Sequence, residues 1–412
     1  MEALTVEVSV FHVCTIRSKF AALAPSAPRS ALISQLKFGD DQVVAKVVLM
    51  KGNEALVRGA IAAGCRGFFG YPITPQNEVP ELMSKLMPEA GGVFLQAESE
   101  VAAINMVYGA ASTGARVMTS SSSPGISLKQ EGLSYIATCE LPCVIANIQR
   151  GGPGLGNIAP SQSDYFQSVK GGGHGDYKLI TLAPWSVQET YDLTALSFDL
   201  SDEHRNPVMI LSDAIVGQMI EPLVQREFQP RVTNKDWVTD GAKGRSKNVV
   251  NSLWIKPDML EQLNLKIQAK YAALNEREVR FAEVKTRDAD VVLVAYGSVA
   301  RICRTVVDLA RSEDLNVGLF RPITLFPFPN ARLAELAEEG KRFLVVEMSA
   351  GQMVEDVRLA INGRAEVEFY GRMGGIVPTP TEILDKIRAM HGRPPGLSHY
   401  KHMTGRTEVS KK

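Results

Sequence analysis

Short apolar runs alternate with helix-like segments along most of the chain. Residues 43–50 form a β-branched apolar run that is typical of a strand, and a helix is expected to begin at Lys51-Gly52-Asn53-Glu54. Further runs short enough for buried strands occur at residues 93–96, 115–120, 142–149, 178–182 and 207–212. Helical patterns lie between them, as at residues 78–86 and 101–111. Strands that alternate with helices predict an α/β fold with a doubly wound, mostly parallel sheet.

The alternation stops near residue 220 and resumes near residue 288. The intervening residues 221–287 are more polar, and residues 264–285 are rich in Lys, Glu, Arg and Ala, which predicts an exposed connecting helix. Apolar runs then return at residues 290–295, 316–320 and 342–347. The pattern predicts a first α/β domain over residues 44–220, a helical connecting segment over 221–287 and a smaller α/β domain over 288–412.

Residues 1–43 differ from the rest of the chain. Pro25, Pro28 and several Ser and Ala residues follow one another there without a helical or strand period. Glu2 and the lack of an early basic cluster argue against a signal peptide. We expect this segment to be a poorly ordered and dispensable extension.

The composition is that of a globular protein, with 45% hydrophobic and 22% charged residues. Lys plus Arg equals Asp plus Glu at 45 each, so no basic surplus favours nucleic acid as a partner. No apolar run approaches the length that a membrane-spanning helix needs. We therefore expect a soluble protein that binds neither nucleic acid nor a membrane.

The five cysteines are scattered along the chain: Cys14, Cys65, Cys139, Cys143 and Cys303. An odd, scattered set is typical of free thiols in a reducing compartment, and we expect the protein to be cytoplasmic. Only Cys139 and Cys143 lie close together, and no second pair completes four ligands for a metal ion or an iron–sulfur cluster. We therefore expect buried structural thiols.

Four polar or glycine-rich segments follow predicted strands, which is where parallel sheets bind ligands. In chain order they are Tyr71-Pro72-Ile73-Thr74-Pro75, Gln96-Ala97-Glu98-Ser99-Glu100, Thr119-Ser120-Ser121-Ser122-Ser123-Pro124-Gly125 and Gln149-Arg150-Gly151-Gly152-Pro153. Each has an ordinary structural explanation: a stiff turn, an acid at a helix N-terminus, a flexible turn and a surface ion pair.

Each segment also has a functional interpretation. Arg150 suits bidentate recognition of a carboxylate, and a carboxyl group at the sheet edge can have its pKa raised in a dry site. Backbone and hydroxyl donors of the serine run suit an anion. A fifth segment places His174 in a glycine-rich loop, where a lone histidine is more often incidental. Composition and spacing do not choose between the two kinds of explanation.

Taken together, the segments closely resemble the α-type subunit of 2-oxoacid:ferredoxin oxidoreductases over residues 50–412. Besides the first, second and fourth segments above, the matching pieces are Lys51-Gly52-Asn53-Glu54-Ala55, His174-Gly175-Asp176, Arg321-Pro322-Ile323-Thr324 and Gly351-Gln352-Met353-Val354-Glu355-Asp356. The resemblance implies that the first domain is like the pyrimidine-binding domain of thiamine-diphosphate enzymes. It implies that the last domain is like the transketolase C-terminal domain.

The resemblance also implies a catalytic residue. In the family, a glutamate nine residues before a glycine of the following helix contacts N1′ of the cofactor's aminopyrimidine. Counting back from Gly109 places this role on Glu100, not on Glu98. A carboxyl group at N1′ favours the imino form of the aminopyrimidine, whose nitrogen removes the C2 proton of the thiazolium.

Further contacts follow from the same resemblance. It places the substrate-contacting residues on Thr74 and Arg150, which would orient the substrate carboxylate. It also implies cofactor contacts for Tyr71, Pro72 and Ile73.

Thiamine enzymes hold the diphosphate through Mg²⁺ with a Gly-Asp-Gly motif, which this sequence lacks, because Gly175-Asp176 is followed by Tyr177. The resemblance therefore implies a β subunit that carries the diphosphate and Mg²⁺ site. It also implies γ and ferredoxin-like δ subunits, iron–sulfur clusters on partner subunits only, and the use of coenzyme A and ferredoxin. We expect the chain to hold no metal and to be inactive alone.

The substrate is expected to be a branched-chain 2-oxoacid. Residues 120–130 and Pro153-Gly154-Leu155-Gly156-Asn157 most resemble the branch of the family for acids such as 3-methyl-2-oxobutanoate (2-ketoisovalerate). The alternative is the 2-oxoglutarate branch, whose second carboxylate needs another cation that the sequence does not identify.

Two other hypotheses come from different functional classes. A self-sufficient transferase of the transketolase type is disfavoured by the missing diphosphate motif. A non-catalytic assembly subunit is disfavoured by the joint retention of Thr74, Glu100 and Arg150.

Overall fold

The computed structural model describes residues 47–395, so the extension expected over residues 1–43 lies outside the described residues. The strands are β1 (Val47–Lys51), β2 (Gly67–Gly70), β3 (Val93–Gln96), β4 (Val117–Ser121), β5 (Val144–Gln149), β6 (Ile180–Leu182), β7 (Val208–Asp213), β8 (Ile220–Val224), β9 (Phe281–Val284), β10 (Val291–Val294), β11 (Val317–Pro322), β12 (Thr324–Phe326), β13 (Arg342–Glu347) and β14 (Val367–Gly371). The helices are α1 (Gly52–Ala62), α2 (Glu78–Glu89), α3 (Glu100–Ser112), α4 (Pro124–Thr138), α5 (Val187–His204), α6 (Ala214–Gln218), α7 (Pro257–Arg277), α8 (Gly297–Arg311), α9 (Asn330–Glu338), α10 (Met353–Ile361) and α11 (Pro380–Met390). A π-helical turn spans Gln167–Gly171.

The first sheet has seven strands in the order β12-β6-β7-β5-β4-β2-β3. Every pairing is parallel except that of β12 with β6. Strands β4, β5 and β7 are buried along their whole length, because α3 and α4 cover one face while α1, α2 and α5 cover the other. Burial on both faces explains why these strands appear in the sequence as continuous apolar runs. The predicted doubly wound, mostly parallel sheet is confirmed.

The first predicted strand lies outside this sheet. Strand β1 pairs antiparallel with β8 in a separate two-stranded ribbon, with Lys51 opposite Ile220. Leu49 is 71% exposed, so β1 is apolar in sequence without being a core strand. The apolar run predicted the strand correctly but carried no information about its partner.

The second sheet has the order β14-β13-β10-β11-β9, and only β9 runs antiparallel to its neighbour. The connecting helix predicted to reach residue 285 is wrong at its C-terminal end, since α7 stops at Arg277 and β9 follows. The reason is packing: Phe281 of β9 stacks on Phe320 of β11 with ring centroids 5.1 Å apart. Strand β9 thus belongs to the second sheet although it precedes residue 288, the predicted start of the second domain. Strand β12 belongs to the first sheet although it follows that residue.

The two sheets share one apolar core that contains Leu133 of α4 and Phe320 of β11. Polar contacts also cross between them. Tyr165 Oη donates to Asp356 Oδ2 at 2.6 Å, and Gln162 Nε2 donates to the carbonyl of Tyr296 at 2.9 Å. These contacts hold the segment that follows β5, which carries part of the candidate site.

Within residues 47–395, no helix combines the length and apolar character needed to cross a membrane. Cys65, Cys143 and Cys303 are buried, as predicted for structural thiols, whereas Cys139 is half-buried and Cys14 lies outside the described residues. Burial raises the pKa of the Cys65 thiol to about 12, so this thiol stays protonated and unreactive at neutral pH.

Candidate functional site

The candidate site lies at the edge of the first sheet where the parallel strands β2, β3, β4 and β5 end. Because parallel strands present their carboxyl ends at one edge, the loops that follow them come together there. These loops carry Thr74, Glu100, Ser123 and Arg150. The structure therefore collects in one place four segments that are far apart in the sequence.

Glu100 is the first residue of α3, and it is buried at this edge. The helix begins there because the Ser99 hydroxyl accepts a hydrogen bond from the Ala102 amide at 3.2 Å. Glu100 is only 6% exposed, whereas Glu98 is exposed to solvent. Position along the chain did not distinguish the two acids, but their burial does.

The Glu100 carboxylate lies against the start of α4. A methyl group added to Gly125 would come within 2.5 Å of Glu100 Oε1 and would also clash with Ser121 Oγ. Gly125 is thus required for the close approach of the carboxylate to the helix.

Arg150 connects the loop after β5 with the loop after β2. Its Nη1 donates to the Thr74 carbonyl at 2.9 Å, and its Nη2 donates to the Leu155 carbonyl at 3.1 Å. Arg150 is 6% exposed, and its Nε has no hydrogen-bond partner among the described residues. The surface ion pair considered from the sequence is therefore wrong for Arg150, because the guanidinium is buried and bonded to carbonyls.

Thr74 does not cap α2 with its side chain. Its hydroxyl accepts a hydrogen bond from Asn77 Nδ2 at 3.1 Å, and Asn77 occupies the N-cap position without a side-chain cap. The cofactor contacts expected nearby lie on the same loop, with Tyr71 and Pro72 exposed and Ile73 half-buried.

The serine run at the end of β4 is a largely buried polar layer, not a flexible turn. Ser120 donates to Gln76 Oε1 at 2.6 Å, while Ser121 Oγ, Ser122 Oγ and Gln76 Nε2 are buried without a partner among the described residues. Buried polar groups are normally paired. Of these groups, Ser121 Oγ lies close to the Glu100 carboxylate, since both approach Gly125. An aminopyrimidine needs such free donors and acceptors near a buried carboxyl group, so the residues present fit the pyrimidine half of thiamine diphosphate.

Ser123 connects this layer to Arg150. The Arg150 amide donates to Ser123 Oγ at 3.0 Å, and Ser123 Oγ donates to Asp164 Oδ2 at 2.7 Å. Asn147 also donates to Asp164, but burial dominates and raises the pKa of this carboxyl group. No pattern in the sequence pointed to Asp164, because it reaches the site from a segment held by the second domain.

Lys129 of α4 was also missed. Its side chain is fully buried, and its Nζ donates to Thr119 Oγ1 at 3.0 Å. Burial lowers the pKa of Lys129 to about 8, and the charge of Glu100 opposes that shift. A signal was present, since Lys129 falls at core spacing between Ile126 and Leu133 on the buried face of the helix.

A cavity of about 560 Å³ adjoins the Arg150 loop, between the first domain and the second. Its lining includes Ser123, Gly152, Asp164, Ser349, Gln352 and Met373. His174 lies elsewhere: it is exposed and contacts Tyr135, about 15 Å along α4 from Gly125. The structure thus does not bring His174 to the candidate site.

Two sequence families match the chain. Residues 58–284 match the thiamine-diphosphate-binding family of pyruvate flavodoxin/ferredoxin oxidoreductases, and residues 289–383 match core domain II of pyruvate:ferredoxin oxidoreductase. The ketoisovalerate oxidoreductase subunit VorB of Methanothermobacter thermautotrophicus is 53% identical over 84% of this chain and 98% of its own length. The 2-oxoglutarate synthase subunit KorA of Methanothermobacter marburgensis is 39% identical over 83% of this chain and 98% of its own length.

Two solved structures are similar. A 2-oxoglutarate:ferredoxin oxidoreductase from Magnetococcus marinus, with 2-oxoglutarate, coenzyme A and succinyl-CoA bound, superposes with a TM-score of 0.77 at 27% identity. The match covers 85% of this chain and 66% of that one. An inactive β4 tetramer of a split-gene transketolase shares the fold, with a TM-score of 0.53 at 13% identity over 82% of this chain and 97% of that one.

Proposed function

The chain belongs to the family of 2-oxoacid:ferredoxin oxidoreductase subunits, and we propose that it is the subunit whose Glu100 activates thiamine diphosphate. The reaction is the oxidative decarboxylation of 2-ketoisovalerate to its acyl-CoA, with reduction of ferredoxin. The observation that carries the assignment is the buried Glu100 carboxylate beside the unpaired hydroxyl group of Ser121, both of them close to Gly125. In such a site a carboxyl group is shielded from water and is free to bond a heterocycle.

The residues of this chain have distinct roles in the reaction. Thiamine diphosphate, when bound, takes up the electrons released as CO₂ leaves. With the cofactor bound, Glu100 would exchange a proton with N1′ of the aminopyrimidine, and the loop Tyr71-Pro72-Ile73 would contact the cofactor. Arg150 and Thr74 would orient the carboxylate of the 2-oxoacid, and Arg150 Nε, which has no partner among the described residues, is the donor left available for it.

We further propose that partner subunits supply what this chain lacks. A β subunit carries the diphosphate and Mg²⁺ site, and γ and ferredoxin-like δ subunits complete the enzyme, with iron–sulfur clusters only on partners. Ferredoxin and coenzyme A are the remaining partners, and nucleic acid and membranes are not. The enzyme works in the cytoplasm, which accords with the free buried thiols.

The charges of the site favour a monocarboxylic substrate. Among the described residues, Arg150, Lys129 and Lys51 are cations near this strand edge. Lys129 donates to Thr119 and is influenced by the charge of Glu100, and Lys51 pairs with Glu78, which leaves Arg150 for the substrate. One guanidinium matches the single carboxylate of 2-ketoisovalerate. The second carboxylate of 2-oxoglutarate would be buried without a partner, which costs free energy.

The assembled enzyme is therefore expected to prefer 2-ketoisovalerate over 2-oxoglutarate by at least about tenfold in kcat/KM. The measurement is ferredoxin reduction with each acid, at matched coenzyme A concentration, by the complex purified with its partner chains. Equal or better use of 2-oxoglutarate would assign the chain to the alternative branch. A purified complex that reduces ferredoxin with neither acid would favour the non-catalytic subunit.

Gly125→Ala is expected to reduce turnover of the assembled enzyme by at least about tenfold. The added methyl group displaces the Glu100 carboxylate, and small misplacements of a catalytic group are costly. Gly109→Ala in α3 is the matched control, because a methyl group there has no neighbour within 4 Å. Turnover and thermal unfolding of both variants are measured together. Normal turnover of Gly125→Ala would contradict the placement of Glu100 against α4.

A further inference from the structure

Lys129 is a lysine at a core position of α4. Its side chain is 0% exposed, and among the described residues the hydroxyl of Thr119 is the one hydrogen-bond acceptor of its ammonium. An ammonium group loses a large hydration free energy on burial, and a single neutral acceptor does not replace it. A compensating negative charge is therefore expected close by.

That charge is on Glu100. The Glu100 carboxylate packs against Gly125, and Lys129 lies four residues later on α4, on the same face and one turn away. Strand β4 contributes one hydroxyl group beside each of these positions. Ser121 lies next to Gly125, and Thr119 accepts a hydrogen bond from Lys129. Alternate residues of a strand share one face, so both hydroxyls point toward α4. Glu100 and Lys129 thus occupy one buried polar layer between β4 and α4.

No competing charge reaches this layer within the described residues. From β4 the hydroxyl groups of Thr119 and Ser121 face it, and both are neutral. Ser120 lies on the opposite face of the strand, where it bonds Gln76. The Asp164 carboxylate accepts hydrogen bonds from Ser123 and Asn147, on the side of the Arg150 loop. Glu100 is the charged group that favours the protonated form of Lys129, against the effect of burial.

We propose that Lys129 is a positioning residue that acts through Glu100: its ammonium compensates the buried carboxylate and so sets the pH range in which Glu100 exchanges a proton with the cofactor. This proposal rests on the function proposed above for Glu100. When Lys129 is protonated, the Glu100 carboxylate is stabilised as an anion. When Lys129 is neutral or absent, this compensation is lost, and the activity that depends on the charged carboxylate moves to higher pH.

The pairing is tested first without reference to activity, by NMR titration of the full chain labelled with [ε-¹³C]lysine. The resonance that is missing in Lys129→Met identifies Lys129. The titration midpoint of this resonance is expected near pH 8, below the midpoints of the surface lysines. In Glu100→Gln this midpoint is expected to move to lower pH, because the carboxylate that favours the ammonium is gone. An unchanged midpoint in Glu100→Gln overturns the pairing.

The functional consequence is tested by the pH dependence of kcat in the assembled enzyme. The limb of this profile that depends on Glu100 is identified as the one that disappears in Glu100→Gln. In Lys129→Met this limb is expected to move to higher pH by about one unit or more. Thr119→Val keeps the lysine but removes its acceptor, so a smaller move in the same direction is expected if Lys129→Met does not fold. A profile that coincides with that of the unsubstituted enzyme overturns the role of Lys129.

The two proposals fail in different ways. Normal turnover of Glu100→Gln removes Glu100 from the reaction and sinks the proposed function, whatever the titration of Lys129 shows. An inactive Glu100→Gln together with an unshifted Lys129→Met profile leaves the proposed function standing and overturns only the inference about Lys129.

Discussion

Glu100→Gln is expected to lower turnover of the assembled enzyme by about 10²- to 10⁴-fold, the range that proton transfer by a positioned side chain contributes. The amide has the shape of the carboxyl group but cannot exchange a proton with the aminopyrimidine. The change keeps the volume at a site that is 6% exposed, so the chain should fold and assemble. Loss of the favourable interaction with the N-terminus of α3 costs only about 0.3–1 kcal/mol.

Glu98→Gln is the matched control for this variant. Glu98 lies two residues earlier in the same loop but is exposed, and its loss should leave turnover unchanged. The measurements are ferredoxin reduction at saturating 2-oxoacid and the composition of the purified complex. If both variants retain turnover, Glu100 has no catalytic role and a non-catalytic subunit becomes the better hypothesis.

Arg150→Lys is expected to lower kcat/KM for the 2-oxoacid by about 10- to 100-fold, mainly through a higher KM. Lysine keeps the positive charge but loses the planar fork, and hydrogen bonds to a charged group contribute about 1.5–3 kcal/mol each. The substitution also removes the donors to the carbonyls of Thr74 and Leu155, so both loops are expected to loosen. The kinetics are therefore measured alongside thermal unfolding.

Arg58→Lys provides the comparison for Arg150→Lys. Arg58 is half-exposed on α1 and pairs with Glu54 in the adjacent turn, an arrangement that contributes little to stability. It should leave both the KM and the unfolding temperature nearly unchanged. A KM for the 2-oxoacid that is unaltered in Arg150→Lys would show that the guanidinium serves only to join the two loops.

Some strands could be predicted from the sequence more completely than others. The bounds of β3, at the edge of the first sheet, and of β13, inside the second sheet, were predicted as the structure has them. The run that became β1 was recognised as a strand, but its partner β8 was not foreseen. Strand β12 was not predicted, and it adds an antiparallel strand to the edge of the first sheet. Such pairings depend on residues far apart in the chain, which local periodicity does not record.

The sequence by itself determined the α/β class, the alternation of strands and helices in the first domain, and the loops in which a ligand would be held. It did so because burial on both faces of a parallel sheet produces continuous apolar runs, and because strand ends are marked by Gly, Pro and polar residues. The family resemblance added the choice of Glu100 over Glu98.

The tertiary structure decided what surrounds each of those residues. Only the packing of α3 against α4 shows that Glu100 is buried while Glu98 is exposed. Only the meeting of two loops gives Arg150 the Thr74 carbonyl as a partner, and only the burial of α4 makes Lys129 a neighbour of Glu100. Burial and electrostatic interaction depend on groups brought together from distant parts of the chain, so spacing along the sequence could place these residues at one edge but could not assign their partners.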